Sequence, residues 1–334
     1  MTFAKPLRRA LEAPITKLGL ALVPRFSRRG VLALSRFLGN VAYLCSARLR
    51  RLGLANLDLA FGDSKTQAEK RTILRKSMQN FSLVILDLAW FSKDSAVRME
   101  TWFEAAPSMK DVMGRSVSRV AVTGHFGNWE LIGRYAAIKS VPLLSVALPL
   151  KNPDVEALLQ RTRQTTGQRV IPREGALRKL IRFLKEGGTV AVLLDQNTRP
   201  EEGGLFVEFF GKPVTVSAAA GLLASMTRSE IAFAYALPRP DGSYLGEVPH
   251  VIPYFEIAGM DRDSLSLEIT RRLTRYYEEA IRSRPECWLW SYKRWRHIPA
   301  GEPADGFPYY AVKLEENGSR LEGSRFTVAK SAES

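Results

Sequence analysis

Three histidines occur in the chain, and one of them stands where an α/β enzyme places a catalytic base. His125 directly follows the apolar run at residues 119–123 and precedes a helical stretch that starts at Trp129. In open α/β sheets, ligands bind at the carboxyl ends of the strands, and a short turn into a helix offers unpaired backbone N–H groups. This position predicts an imidazole beside backbone donors that can hold an oxyanion.

Glu130 lies five residues after His125, in the first turn of the expected helix. A carboxylate that accepts a hydrogen bond from one ring nitrogen fixes the tautomer, so that the other nitrogen can take a proton from a hydroxyl. The turn at residues 124–127 contains no Ser or Cys, which favours direct attack by a substrate hydroxyl over a covalent enzyme intermediate. A structural histidine at a helix start would show the same pattern, and this spacing alone leaves both interpretations open.

Other kinds of site are not predicted. The two cysteines and three histidines lack the spacing of a metal-ligand set, and neither a G-x-x-x-x-G-K-[ST] loop nor a G-x-G-x-x-G turn occurs. Basic residues are not interleaved with stacking aromatics along the body, as nucleic-acid binding would require. We therefore expect no metal, no cofactor and no nucleic-acid partner.

Hydrophobic periodicity predicts an α/β fold with a mixed, mostly parallel central sheet flanked by helices. Helices are expected over residues 64–91, 97–109, 129–138, 153–166, 175–185, 217–227 and 265–283. Strands are expected over residues 119–123, 142–148, 169–172, 189–194, 231–237 and 248–254. Alternation of this kind is typical of strands joined by helical crossovers.

Positive charge is concentrated at the N-terminus. The chain of 334 residues is 46% hydrophobic, which excludes disorder over most of its length, and carries a formal net charge of +15. Residues 1–57 contain eleven basic residues and one acid, so that +10 lies in this stretch and only +5 in the remaining 277 residues. A basic end on a nearly balanced body indicates attachment to an anionic partner.

Apolar residues separate these charges. The run at residues 30–47 is interrupted by Arg36 and is short for a bilayer span, which needs about 20 apolar residues. A helix lying in the headgroup plane of an anionic membrane fits this mixture, and a basic amphipathic helix packed on its own domain is the alternative. We expect a membrane-associating segment at 1–57, a catalytic domain at 58–299 and a flexible tail at 300–334.

The chain shows no cleavage site of the secretory type after the apolar stretch, so the cysteines are expected to stay reduced and the catalytic domain to face the cytoplasm.

The string GHFGNWE at residues 124–130 resembles the H-x4-D/E block of the glycerolipid acyltransferase superfamily, in the form found in lipid A biosynthesis acyltransferases of the lauroyl and myristoyl transferase family. Further segments are similar in the same order: NLDLAFGDS from residue 56, IPREGALRKLIRFLKEGG from 171, VAVLLDQN from 190, VEFFGKPV from 207 and PECWLWSYKRWR from 285. The resemblance covers about residues 40–298.

The resemblance implies transfer of a fatty acyl chain from a thioester, usually on acyl carrier protein, to a hydroxyl of a lipid A precursor or related glycolipid. It gives His125 the role of general base and Glu130 that of its orienting partner, with the thioester as a co-substrate and no cofactor. Candidate substrate-binding residues are Arg173, Asp195, Asn128 and Gln196. The implied location is the cytoplasmic face of the bacterial inner membrane.

Several of these residues have a structural alternative. Arg173 is a candidate contact for a phosphate or an oxyanion, and its structural alternative is a solvated charge at a helix start. Asp195 is a candidate to orient the acceptor hydroxyl or Arg173, and its structural alternative is a carboxylate that closes a loop. Phe209 and Phe210 are candidate walls of an acyl pocket, with core packing expected for at least one of them. The tryptophans Trp288, Trp290 and Trp295 beside basic residues suit either a membrane interface or packing. His250 and His297 are expected to be surface or structural residues rather than catalytic ones.

Two other functions remain open at this point. One is acyl transfer from acyl-CoA to another lipid acceptor, such as a lyso-aminolipid or an inositol mannoside. The other is a non-enzymatic, basic membrane-binding protein, for which the charged N-terminus alone would be sufficient.

Overall fold

The computed structural model describes residues 4–147, 152–164 and 167–314, with side chains from residue 12 onward. The helices are α1 (Ala4–Leu22), α2 (Arg28–Cys45), α3 (Ala47–Phe61), α4 (Gln67–Trp90), α5 (Ser95–Trp102), α6 (Pro107–Gly114), α7 (Trp129–Ile138), α8 (Pro153–Gln164), α9 (Ala176–Lys185), α10 (Ala219–Thr227) and α11 (Arg262–Ser283). The strands are β1 (Phe103–Ala105), β2 (Arg119–Thr123), β3 (Leu143–Ala147), β4 (Arg169–Pro172), β5 (Thr189–Leu193), β6 (Gly204–Phe209), β7 (Lys212–Ser217), β8 (Glu230–Pro238), β9 (Tyr244–Ile252), β10 (His297–Ile298) and β11 (Val312–Lys313).

Seven strands form the central sheet in the order β1-β9-β8-β2-β5-β3-β4. Only the β8–β9 pair is antiparallel among these strands. The predicted α/β fold with a mostly parallel sheet is confirmed. Strand β2 pairs with β5 in a register that sets Thr123 opposite Leu193, so the carboxyl ends of these two strands lie side by side. Residues two positions beyond each end therefore meet at one edge of the sheet.

Helices cover both faces of the sheet, and the alternation along β8 separates two cores. Ile231 and Phe233 face a larger core with α9, α10 and α11, whereas Ala232 and Ala234 face a smaller core with α5 and α6. Helix α4 contributes to both cores. Leu74, in its first half, packs in the larger core, and residues of its second half such as Leu83 and Leu86 pack in the smaller core. Its start is capped by Thr66, which forms a reciprocal capping box with Glu69.

Most predicted elements are present, within a few residues of their expected ends. One exception depends on a partner distant in sequence. The single helix expected over residues 97–109 is not formed, because β1 interrupts it by pairing with β9 at Tyr244–Gly246. The VEFFGKPV segment belongs to the antiparallel hairpin β6–β7. The expected ends at residue 148 and residues 165–166 lie outside the described residues.

The N-terminal helices pack on the body. Gly39 of α2 lies so close to α4 that a Cβ would clash with the backbone of Gln79. Within the described residues, no single helix is long and apolar enough to cross a bilayer; Arg28–Cys45 and Ala47–Ser64 meet that test only as a pair, and the chain bends by 93° between them. The boundary expected after Leu57 falls inside α3, and Leu57 is buried in the larger core.

The expected tail at 300–334 also differs from the structure in its first part. Strand β11 pairs in parallel with β10, and Tyr310 is buried with its hydroxyl donating to Asn56 Oδ1. The part of the tail around Phe307 and Tyr310 therefore packs on the body, and the residues after 314 lie outside the described residues.

Candidate active site

The turn between β2 and α7 holds His125 at the carboxyl edge of the sheet. Gly127 has a φ of +62°, and a Cβ at this position would clash with the carbonyl oxygen of Ala236, so the turn requires glycine here. Asn128 ends the turn as the N-cap of α7, with its side chain accepting from the backbone N–H of Leu131 at 3.4 Å. The segment after α11 closes over the turn, because the N–H of Gly127 donates to the carbonyl of Cys287 at 3.0 Å.

The imidazole of His125 is held by Asp195, which follows β5. The ring Nδ1 lies 2.9 Å from Asp195 Oδ1, and the backbone N–H of His125 donates to Asp195 Oδ2 at 2.9 Å. Asp195 is buried, and its Oδ2 also accepts from the Tyr277 hydroxyl at 3.0 Å and from Trp288 Nε1 at 3.1 Å. A carboxylate that receives four donors is held as an anion, because each hydrogen bond favours the charged form.

The two groups shift each other's pKa. Burial acts to raise the pKa of Asp195, but the His125 charge and hydrogen bonds, together with Trp288, hold it well below its usual range. Burial acts to lower the pKa of His125, and the opposing charge and hydrogen bond of Asp195, with a smaller contribution from Glu130, raise that pKa above its ordinary value. An anionic Asp195 can only accept, so neutral His125 carries its proton on Nδ1 and leaves Nε2 unprotonated.

A narrow cleft opens beside the His125 ring. It lies between α4, the turn and the segment after α11, and its lining includes Asn80, Phe81, Val84, Gly127, Trp129 and Leu289. The Trp129 ring meets the imidazole edge to face, with ring centroids 4.5 Å apart. No hydrogen-bond partner for His125 Nε2 occurs within the described part of the chain. This nitrogen is therefore available to a substrate.

Glu130 does not contact the His125 ring in the way that its spacing predicts. Its carboxylate forms a bidentate pair with Arg163 of α8, with Nη2 to Oε1 at 2.6 Å and Nε to Oε2 at 3.1 Å. The hydrogen-bonded partner of the imidazole is Asp195 instead, because strand adjacency brings residue 195 to the turn whereas α7 directs Glu130 towards α8. Sequence reasoning missed Arg163, since no local signal links α8 to a residue 33 positions away.

The other candidate substrate-binding residues are separated from one another. Arg173 lies on the surface with its side chain 43% exposed and 3.5 Å from Glu202, and the contact with Asp195 that its sequence position left open is not formed. Asn128 is fully buried, and its amide donates to Asp87 at 3.3 Å, so it supports the turn from behind. Gln196 is exposed next to Asp195. The structure thus brings Asp195 alone of these four side chains into contact with the imidazole.

The aromatic residues near the C-terminus form core rather than surface. Phe209 and Phe210 are both buried, and the Phe209 ring stacks on Trp295. The three tryptophans at 288, 290 and 295 are fully buried, so the membrane-interface interpretation is wrong for them and the packing alternative is confirmed. His297 is buried with Nδ1 3.0 Å from the Thr215 hydroxyl, and the His250 ring stacks on Tyr276 at 3.8 Å.

Comparison with known proteins assigns the chain to a family. The profile of the bacterial lipid A biosynthesis acyltransferases matches residues 6–297. The chain belongs to this family. As a lipid A biosynthesis acyltransferase family member, it is an acyltransferase, and the resemblance noted in its sequence blocks is confirmed.

The relatives are distant but matched over most of their length. The lipid A biosynthesis palmitoleoyltransferase of Escherichia coli K12 is 24% identical over 270 residues, which cover 79% of this chain and 84% of that protein. The lipid A biosynthesis lauroyltransferase of the same organism is 23% identical over 274 residues, which cover 80% of this chain and 85% of that protein. Among solved structures, the chain is similar to the 1-acyl-sn-glycerophosphate acyltransferase of Thermotoga maritima, with 12% sequence identity and a TM-score of 0.34. The matched region covers 75% of this chain and 98% of the Thermotoga chain.

Proposed function

We propose that this acyltransferase moves a fatty acyl chain from an acyl thioester, carried by acyl carrier protein, to a hydroxyl of a lipid A precursor at the cytoplasmic face of the inner membrane. The observation that carries the proposal is the pair formed by His125 and buried Asp195 beside the cleft, with Nε2 left unpaired. The activities for which the two Escherichia coli relatives are named support the acceptor class. In this proposal His125 is the general base and Asp195 its orienting partner.

The reaction needs one proton acceptor and no enzyme nucleophile. Nε2 of His125 removes the proton of the acceptor hydroxyl as its oxygen attacks the thioester carbonyl carbon. The tetrahedral intermediate then collapses, the C–S bond breaks, and the leaving thiolate takes the proton from the imidazolium. Asp195 stabilises the imidazolium between these steps without itself becoming protonated.

The start of α7 supplies donors for the oxyanion of that intermediate. The helix begins at Trp129, directly after the turn, and the first N–H groups of a helix lack intrahelical acceptors. Together with the positive end of the helix dipole, they favour negative charge next to the His125 ring. Glu130, neutralised by Arg163, occupies this first turn and joins α7 to α8.

An apolar surface beside the cleft supports contact with a membrane. Phe37, Val41 and Leu44 are exposed on one face of α2, and Phe81 and Ile85 are exposed on one face of α4. Phe81 also lines the cleft, so the exposed face of α4 reaches the site. Exposed arginines Arg25, Arg29, Arg36 and Arg48 lie along the same N-terminal segment and complement anionic headgroups. Arg28 is excluded from this set because it is buried.

The test compares His125→Ala with His250→Ala in transfer of acyl chains from acyl carrier protein to a lipid A precursor, followed by mass spectrometry of the product. We expect His125→Ala to lower kcat by roughly a hundredfold or more, as removal of a general base does. The partly exposed His250 lies away from the cleft, and its variant should retain wild-type turnover.

Turnover retained by His125→Ala would overturn the general-base assignment. An active wild-type enzyme that acylates a lyso-aminolipid or an inositol mannoside but no lipid A precursor would overturn the acceptor. Mass spectrometry of glycolipids from cells with and without the protein would show the acceptor and the chain length together.

A further inference from the structure

The two oxygens of Asp195 are used unequally. Oδ1 meets the His125 ring alone, whereas Oδ2 receives three donors: the backbone N–H of His125, the Tyr277 hydroxyl and Trp288 Nε1, at 2.9, 3.0 and 3.1 Å. The last two come from α11 and from the segment after it, which are distant in sequence from the catalytic turn. Both side chains are buried, so water cannot replace their hydrogen bonds.

The turn is shaped to admit one of these donors. A Cβ at Gly124 would clash with the Tyr277 hydroxyl, so glycine at this position leaves room for the O–H to reach Asp195. Burial raises the pKa of Tyr277 well above its usual value, and the charge of Asp195 raises it further. The hydroxyl therefore keeps its proton at every pH at which the enzyme works, and it acts as a donor.

We propose that Tyr277 and Trp288 are positioning residues for acyl transfer: they hold Oδ2 of Asp195 so that Oδ1 alone faces the imidazole, and they draw negative charge away from that contact. Because the inference rests on the proposed role of His125, its test uses a measurement that needs no turnover. Trp288 also lines the cleft whereas Tyr277 does not, so Tyr277→Phe is the variant that leaves the cleft wall unchanged.

The sign of the effect follows from the charges around the pair. Glu130 on α7 and Asp195 after β5 are the anions that raise the pKa of His125. Arg294, from the segment after α11, is the buried cation that faces Asp195 and Tyr277. Loss of an O–H donor leaves more negative charge on the carboxylate, which then favours the imidazolium more strongly. Removing the Tyr277 hydroxyl must therefore raise the pKa of His125.

The experiment titrates His125 by NMR in detergent-solubilised, full-length enzyme with histidine labelled at 13Cε1. The chain has three histidines, and His250→Gln and His297→Gln assign two of the three signals. Tyr277→Phe retains the ring and removes only the hydroxyl, and we expect it to move the His125 midpoint up by roughly half a pH unit. Trp288→Phe should move it in the same direction.

Tyr276→Phe is the matched control. Tyr276 is the neighbouring residue on α11, and its ring stacks on His250 rather than facing Asp195. This variant should leave the His125 midpoint unchanged. In the wild type and in Tyr277→Phe, the acidic limb of the kcat profile should coincide with the His125 midpoint, so that in the variant this limb moves up by the same amount as the midpoint. We also expect Tyr277→Phe to lower kcat several-fold and to leave KM unchanged.

A His125 midpoint that is unchanged or lowered in folded Tyr277→Phe and Trp288→Phe would overturn the positioning role. Folding is checked by the thermal midpoint of each variant, and Tyr277→Phe is the variant on which the test relies if Trp288→Phe fails to fold. Retained turnover in His125→Ala would overturn the proposed function instead, and the titration would then report only on a structural pair. The two failures are thus distinguishable.

Discussion

At the scale of residues, the site depends on a carboxylate that the motif itself does not contain. His125 and Glu130 lie in one motif, yet the imidazole bonds to Asp195 and the glutamate to Arg163. The reason is the direction of each side chain. Residues beyond neighbouring strand ends converge, whereas the first turn of a helix directs its side chains outward to the next element. The pair formed by His125 and Asp195 is therefore assembled from two strand ends.

Asp195→Asn is expected to lower kcat by roughly 10³-fold or more, because the amide no longer enforces the Nδ1–H tautomer. Both oxygens of Asp195 accept hydrogen bonds, so in either orientation of the asparagine amide its NH2 group would face a donor instead of an acceptor. The anion of Asp195 raises the pKa of His125, so its removal lowers that pKa and moves the acidic limb of the kcat profile to lower pH.

Glu130→Gln is the comparison variant. The acidic limb of its kcat profile should move less than that of Asp195→Asn, because Glu130 acts on His125 only through longer-range charge. A larger shift in Glu130→Gln would contradict this assignment.

At the scale of elements, α2 and α4 connect the basic N-terminus to the cleft. The two helices pack closely at Gly39, and their outer faces present apolar side chains that no described residue covers. Apolar side chains exposed on one helix face, with arginines nearby, bind to the interface of an anionic bilayer. The outer face of α4 reaches the cleft through Phe81. We therefore expect these two helices to present the active site to lipid.

The double variant Phe37→Ser/Leu44→Ser is expected to weaken binding to vesicles that contain anionic lipid by roughly tenfold or more, because the two side chains are 61% and 70% exposed on α2 and would enter the lipid. Cosedimentation measures the bound fraction. Phe255→Ser is the matched control, since Phe255 is 78% exposed but lies outside α2 and α4, and it should bind as the wild type does. Equal binding by the double variant and the control would remove α2 from the membrane contact.

At the scale of the whole molecule, the N-terminal helices are part of the folded body. Arg28 of α2 is buried in the smaller core, where its guanidinium pairs with Asp87 of α4 and lies 4.8 Å from the centroid of the Trp90 ring. Asp87 also accepts from the Tyr244 hydroxyl at 2.6 Å and from Asn128 at 3.3 Å. One buried carboxylate thus joins α2, the sheet and the turn that holds His125. Removing residues 1–57 would cut through this arrangement and through α3.

Arg28→Leu is expected to destabilise the protein by about 3–5 kcal/mol, because it leaves Asp87 buried without its cation. Denaturant or thermal unfolding measures the loss. Arg29→Leu is the matched control: Arg29 is the next residue of α2 but is exposed, and its removal should change stability by less than about 0.5 kcal/mol. If the two variants unfolded alike, the ion pair would not join the N-terminal segment to the body.

Local signals in the sequence were sufficient to predict the elements around His125 and its place after a strand. Strand β2, the glycine-containing turn and α7 follow from an apolar run, residues that tolerate a tight turn, and a helical period, all of which are local signals. The ordered blocks after GHFGNWE also indicate the family, because they follow one another along the chain and need no knowledge of its packing. The place of His125 after a strand predicts a ligand-binding position and leaves a structural role open, and its assignment as a general base comes from the resemblance of GHFGNWE to the family's motif.

Which groups surround His125 depends on how elements distant in sequence pack together. Strand order places β5 beside β2, and nothing in the spacing of residues 125 and 195 expresses that adjacency. The same is true of Arg163 on α8, of Tyr277 on α11, and of the tryptophans that looked suited to an interface and are buried. Such contacts join residues far apart in the chain, and their formation depends on how helices and strands pack, which periodicity does not encode.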